Sequence, residues 1–187
     1  MGRVSQAQAQ ENRKRVVANA SRLFREQGTG VSVADLMKSA GMTQGGFYKQ
    51  FASKDALVGE ATTHAFAQLE ARRTAELDEH DGQRDAARQG LIDYYLSARH
   101  RDNAGNGCPV AALAADIAKG AGDAAHDVYI EGVRDFAQWL ATDDEDGLAG
   151  LATLVGALLL ARATHGSPLS DEILHAAHAA LSDHSQI

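Results

Sequence analysis

The stretch Ser32–Phe51, SVADLMKSAGMTQGGFYKQF, decides how the chain is read. Ser32 fits an N-cap, and Asp35 three residues on completes a capping-box-like pair. Val33, Leu36, Met37 and Ala40 then mark the buried stripe of a short helix, and Gly41 supplies its turn. Thr43 can cap a further helix ending near Gln50, and this one carries adjacent glycines, Gly45 and Gly46. A glycine inside a helix costs about 1 kcal/mol relative to alanine, so two of them need a reason in what the helix touches.

Two helices joined by a tight glycine-containing turn form a helix-turn-helix, whose second helix enters the major groove with its leading residues toward base edges. Glycine deletes the side chain where backbone must come close to sugar, phosphate or base. Gln44 can bond adenine in a bidentate manner, and Thr43 can touch a thymine methyl or a phosphate. Tyr48 and Lys49 follow on the exposed side, while Phe47 and Phe51, four apart, bury the other. Lys54, beside the cap Ser53, adds positive charge to the amide-rich start of the next helix, a natural phosphate seat. The candidate DNA contacts are therefore Ser32, Thr43, Gln44, Gly45, Gly46, Tyr48, Lys49 and Lys54.

Charge is divided along the chain in the same sense. The 187 residues carry a net charge of -7, yet residues 1–60 hold nine Lys/Arg against five Asp/Glu, and residues 61–187 hold nine against twenty. That asymmetry suggests a basic module that meets a polyanion, joined to an acidic body that does not. The single cysteine, Cys108, excludes an intrachain disulfide and fits a reducing compartment. The opening MGRVSQAQAQ lacks the apolar core of a signal peptide, and LAGLATLVGALLLARA is too short and glycine-broken for a membrane span. A soluble, cytoplasmic protein is expected.

With two prolines, abundant alanine and leucine, and no period-two runs of β-branched residues, the chain reads as all-α. Nine helices are expected. The first runs from about Gln10 to Gln27, stopped by Gly28; the second and third are those of the opening stretch. Ser53 caps a fourth through roughly Leu77, a fifth covers about Gln83–Arg101, and a sixth begins at Pro109. A seventh spans about Asp123–Ala141, an eighth opens in the acidic run at a Thr142/Glu145 capping box, and a ninth runs from Ser170 to about Leu181. The acidic run fails as a calcium loop, because Thr153 stands where the bidentate glutamate belongs. His175 and His178 with nearby His165 lack a third firm ligand, so no metal and no cofactor is expected. No nucleophile with its base, paired carboxylates or phosphate loop points to an enzyme.

Residues 10–57 resemble the DNA-binding domain of the TetR family of bacterial transcriptional regulators. The likeness lies in several motifs in order: LF..QG from Leu23, SV.DL...AG from Ser32, FY..F from Phe47 and SKDAL from Ser53. Gln50 departs from the family, which often has histidine or tyrosine there. The resemblance implies a helix-turn-helix domain over residues 1–52, and a helical ligand-binding and dimerisation domain over 53–187. It implies a homodimer built on the last two helices, for which Gly150, Ala157 and Ala161 of the eighth helix and Ile173, Ala177 and Leu181 of the ninth are candidates. It further implies a ligand pocket among the middle helices. Tyr94, Tyr95, Cys108, Leu113, Ile117, Phe136 and Trp139 are candidates for a small, largely apolar ligand. The expected function is a repressor that binds a palindromic operator and is released by a small-molecule inducer. Two alternatives stand beside it. One is a redox or electrophile sensor acting through Cys108, whose sulfur at a helix start would have a lowered pKa. The other is a constitutive DNA-binding protein without inducer.

Overall fold

In the computed structural model, which describes residues 6–143 and 146–183, all regular structure is helical. The order is α1 (Gln6–Gln27), α2 (Val33–Ser39), the 3-10 helix η1 (Gln44–Lys49), α3 (Lys54–Glu79), α4 (Arg84–Tyr95) and α5 (Ala98–Arg101). There follow the 3-10 turn η2 (Ala104–Asn106), α6 (Pro109–Ala118), α7 (Asp123–Leu140), α8 (Leu148–Ala163) and α9 (Pro168–Asp183).

The all-α expectation holds, but the helices are not divided as expected. The third is a 3-10 helix: Gly46 N–H donates to the Thr43 carbonyl at 3.0 Å and Gln50 N–H to that of Phe47 at 2.8 Å. The fifth splits at Ser97. Its hydroxyl donates to the Tyr94 carbonyl at 2.6 Å and accepts the His100 N–H at 3.2 Å, closing α4 and opening α5 with one side chain. The eighth does not open in the acidic run. Thr142 lies outside any helix, Glu145 lies outside the described residues, and α8 begins at Leu148 behind the left-handed Gly147 (φ 76°). Only glycine fits there, since a Cβ would stand 2.0 Å from the Ala137 carbonyl oxygen. The ninth starts at Pro168, two residues before the expected Ser170, with proline at its first position. Ser170 is instead buried and donates to the Ala161 carbonyl at 2.7 Å, tying α9 to α8.

Two apolar clusters follow. The head core joins Val16, Ala20 and Phe24 of α1 to Leu36 and Met37 of α2 and to Phe47 and Phe51 around η1. It also takes Leu57 and Val58 from the start of α3, Leu113 and Ile117 from α6, and Ala125 from α7, so the head is completed by residues well beyond 52. The body core gathers Leu91, Ile92 and Tyr95 with Phe136, Leu154, Leu158, Ala161 and Leu174. α8 is apolar all round. It buries Leu151, Leu154, Leu158 and Ala161 while leaving Leu148, Leu159 and Leu160 in solvent. Among the described residues, no helix is long and apolar enough to cross a membrane.

Candidate nucleic-acid interface and internal cavity

The interface is built on η1. Phe47, fully buried, and Phe51 anchor its inner side, their rings 5.4 Å apart. The other side faces outward: Thr43, Gln44, Gly45 and Lys49 are exposed, and Tyr48 is 73% exposed. Thr43 holds the extended backbone of an N-cap but makes no cap bond with its hydroxyl, which stays available. The glycine pair has no reason inside the molecule. A Cβ on Gly45 would meet nothing within 4 Å, and one on Gly46 would touch only Met37 Cε at an ordinary 3.5 Å. Neither glycine has a positive φ. The chain itself could carry alanine at both positions.

Two further groups frame this surface. Arg13 of α1 donates to the Gln50 carbonyl at the end of η1, pairs with Glu60 of α3 at 2.5 Å, and lies 4.4 Å over the Phe51 ring. A pair this exposed adds little stability, so its effect is to fix the angle between η1 and its neighbours. Ser53 accepts the Ala56 N–H at 3.0 Å as cap of α3, with Lys54 following at the open end of that helix. Ser32 is an N-cap as well: its oxygen accepts the Asp35 N–H at 3.1 Å and its proton goes to the Asp35 carboxylate at 2.6 Å.

A cavity of about 330 Å³ lies where the head meets the body. Arg25 comes to it from α1, Gln68 and Arg72 from α3, Tyr94 and Tyr95 from α4, His100 from α5, Gly107 and Cys108 from the loop before α6, and Pro109 from the start of α6. Arg25 is only 6% exposed. Its guanidinium donates to the Ser21 carbonyl (3.1 Å), the Gly107 carbonyl (3.0 Å) and Gln68 Oε1 (2.6 Å), all neutral acceptors. Burial pulls its pKa down to about 10, which leaves it charged at neutral pH. Arg72 stacks 4.0 Å over the Tyr94 ring. Among the described residues, neither arginine forms an ion pair.

His100 is held neutral by its bonds. Nδ1–H donates to the Tyr95 carbonyl at 2.8 Å, and Nε2 accepts the Cys108 N–H at 3.1 Å, so a second ring proton would break the latter. Burial pushes its pKa down to about 4. Beside it the Tyr95 hydroxyl is buried near the Cys108 thiol and finds no hydrogen-bond partner of regular geometry. The thiol itself departs from expectation. Its burial raises the pKa, and the Tyr95 hydroxyl and the amides of Ala111 and Val110 only partly offset that. The helix dipole is present at Cys108, but desolvation outweighs it.

Residues 16–61 match the model of bacterial regulatory proteins of the tetR family. A TetR-family regulator from Agrobacterium tumefaciens superposes with a TM-score of 0.77 at 21% identity, covering 94% of this chain and 98% of that one. The reduced form of Escherichia coli NemR gives a TM-score of 0.76 at 21% identity, over 92% and 96%. AibR, solved with isovaleryl coenzyme A and operator DNA, gives 0.59 at 14% identity, over 90% and 97%. No curated protein matches the sequence. The head is a TetR-family domain, and the whole chain has the TetR fold.

Within this TetR fold the candidate ligand residues separate into two groups. Tyr94, Tyr95 and Cys108 line the cavity. Leu113 and Ile117 pack in the head core, Phe136 is fully buried in the body core, and Trp139 lies in a surface groove beside Arg84. Arg25, Gln68, Arg72 and His100 were not anticipated. One signal existed, because Arg25 follows the buried α1 stripe of Ala20, Ser21 and Phe24 and is a charge where an apolar residue is expected. The candidate dimer residues are turned inward. Ala157 and Ala161 are buried against their own chain, Ile173, Ala177 and Leu181 pack half-buried on the same core, and Gly150 faces Leu181. What α8 and α9 leave outside is larger: Leu148, Leu159, Leu160 and Leu169.

Proposed function

We propose that the protein is a ligand-responsive repressor that binds a near-palindromic operator as a homodimer, each subunit laying η1 in a major groove. The observation that carries this reading is the bare Gly45–Gly46 backbone, exposed at Gly45, which nothing in the chain itself requires. Around it, Gln44 and Thr43 supply base-edge contacts, and Ser53 and Lys54 supply phosphate contacts. The exposed leucines of α8 and α9 offer a self-complementary apolar surface for a two-fold partner. That symmetry matches two half-sites about one helical turn apart.

Release would begin at the cavity. Arg25 reaches it from α1, the helix whose Arg13 holds the end of η1, so occupancy of the cavity biases the angle of the reading head. A second clasp, Thr29 N–H to Asp116 at 2.6 Å, joins the end of α1 to α6. Couplings of this kind are typically about 1–3 kcal/mol. AibR, with both a thioester ligand and operator DNA, is an instance of one fold serving both contacts.

Selection of operators from random duplexes tests the reading. It expects an enriched inverted repeat bound by dimers. Sequence-blind binding, or a monomer that ignores every duplex at low salt, would contradict it.

A further inference from the structure

The cavity is the wrong sign for its surroundings. Residues 61–187 carry eleven more acidic than basic side chains, yet no carboxylate lines this space, while Arg25 and Arg72 both do. Arg25 is held out of water by neutral oxygens alone, although burying an unpaired guanidinium is costly and an opposing charge relieves it. Tyr95, 2% exposed, lines the same space, and its hydroxyl, beside the Cys108 thiol, has no partner of regular hydrogen-bond geometry. The Tyr94 ring, Leu69 and Leu91 add apolar wall, and Gln68, His100 and Asn106 the remaining polar lining. We propose that the cavity binds a small organic anion, whose oxyanion sits between Arg25 and Arg72 and accepts from Tyr95 while its apolar ring lies along Tyr94. This rests on the ligand-responsive reading above and names the ligand's chemistry, which is anionic where the sequence suggested a largely apolar molecule.

The same geometry makes Arg25 the point of coupling. An oxyanion at its guanidinium competes with the Gly107 carbonyl and Gln68, two of the bonds that fasten α1 to the body. Ligand binding therefore loosens the grip on α1 where the head begins.

The experiment is calorimetry on the DNA-free protein with matched acids and amides: benzoate and benzamide, phenylacetate and phenylacetamide, cinnamate and cinnamamide. Phenyl phosphate is included to distinguish a carboxylate from a phosphate site. A charge-assisted contact predicts that anions bind about tenfold or more tightly than their amides. Arg25→Gln should abolish that preference, and Arg72→Gln, at a half-buried residue whose removal leaves the core intact, should do so even if the first variant folds poorly. Amides binding as tightly as acids, or no anion binding at millimolar concentration, would overturn the proposal. Operator binding is measured separately. Anions that bind without weakening operator affinity would uphold the ligand class and sink the release mechanism; a neutral compound that releases the operator while no anion binds would do the reverse.

Discussion

The two working regions of this molecule leave polar groups unengaged in opposite settings. At η1 they stand in water: Thr43, Gln44 and Lys49 have exposed side chains that cost nothing to leave free, beside a glycine pair stripped of bulk. In the cavity they are buried, where Arg25 lacks an ion pair and the Tyr95 hydroxyl lacks a partner of regular hydrogen-bond geometry, an arrangement that costs stability. The difference fits the proposed roles. A surface that is ready without rearrangement suits a large, preformed polyanion, and a buried site with an unpaired charge suits a switch.

The comparison breaks most visibly if the two regions are one cooperative unit. Phe47 is fully buried in the head core only, so Phe47→Ala should cost about 3–5 kcal/mol. Hydrogen exchange should show lost protection in α1 and α2, with α8 amides still protected. Uniform loss across both cores would merge what is here kept apart.

Acid should find the cavity before the head. His100 has a pKa near 4 when folded and about 6.5 when unfolded, so the unfolded chain takes up the proton first. Its contribution is complete above the unfolded value and is lost as pH falls from 6.5 toward 4, by about 3 kcal/mol at most. Denaturation across that window should show the loss, and His100→Gln should flatten it. An unchanged acid limb in the variant would remove His100 from the account.

On the head, Gln44 and Lys54 should separate base reading from backbone holding. Gln44→Ala should cost about 1–3 kcal/mol against the preferred operator and relax discrimination. Lys54→Gln should weaken all duplexes alike and lower the salt slope by about one. Equal, sequence-blind losses from both would contradict the division.

The head was legible because its parts are contiguous. Ser32, Gly41, Thr43 and Ser53 punctuate a short segment, and a local pattern of caps, glycines and paired phenylalanines carries the whole unit. The cavity was only half legible because its walls come from α1, α3, α4, α5 and a loop, far apart in the chain. Tyr94, Tyr95 and Cys108 were within reach of sequence reasoning. Arg72 was not, since an arginine in an amphipathic helix ordinarily faces water, and for Arg25 the one signal was its place on the buried α1 stripe. The thiol pKa went wrong for a related reason: the helix start was visible in Cys108-Pro109, but the burial that outweighs it was not. On α8, a helix apolar on every side gave no way to tell which face its own chain would cover.

The most direct measurement concerns the bare backbone itself. Gly45→Ala places a methyl group where the folded chain has open space, so thermal stability should hold or rise, by up to about 1 kcal/mol, while affinity for the selected operator falls. Full operator affinity in a stably folded Gly45→Ala protein would contradict the claim that this edge lies against DNA.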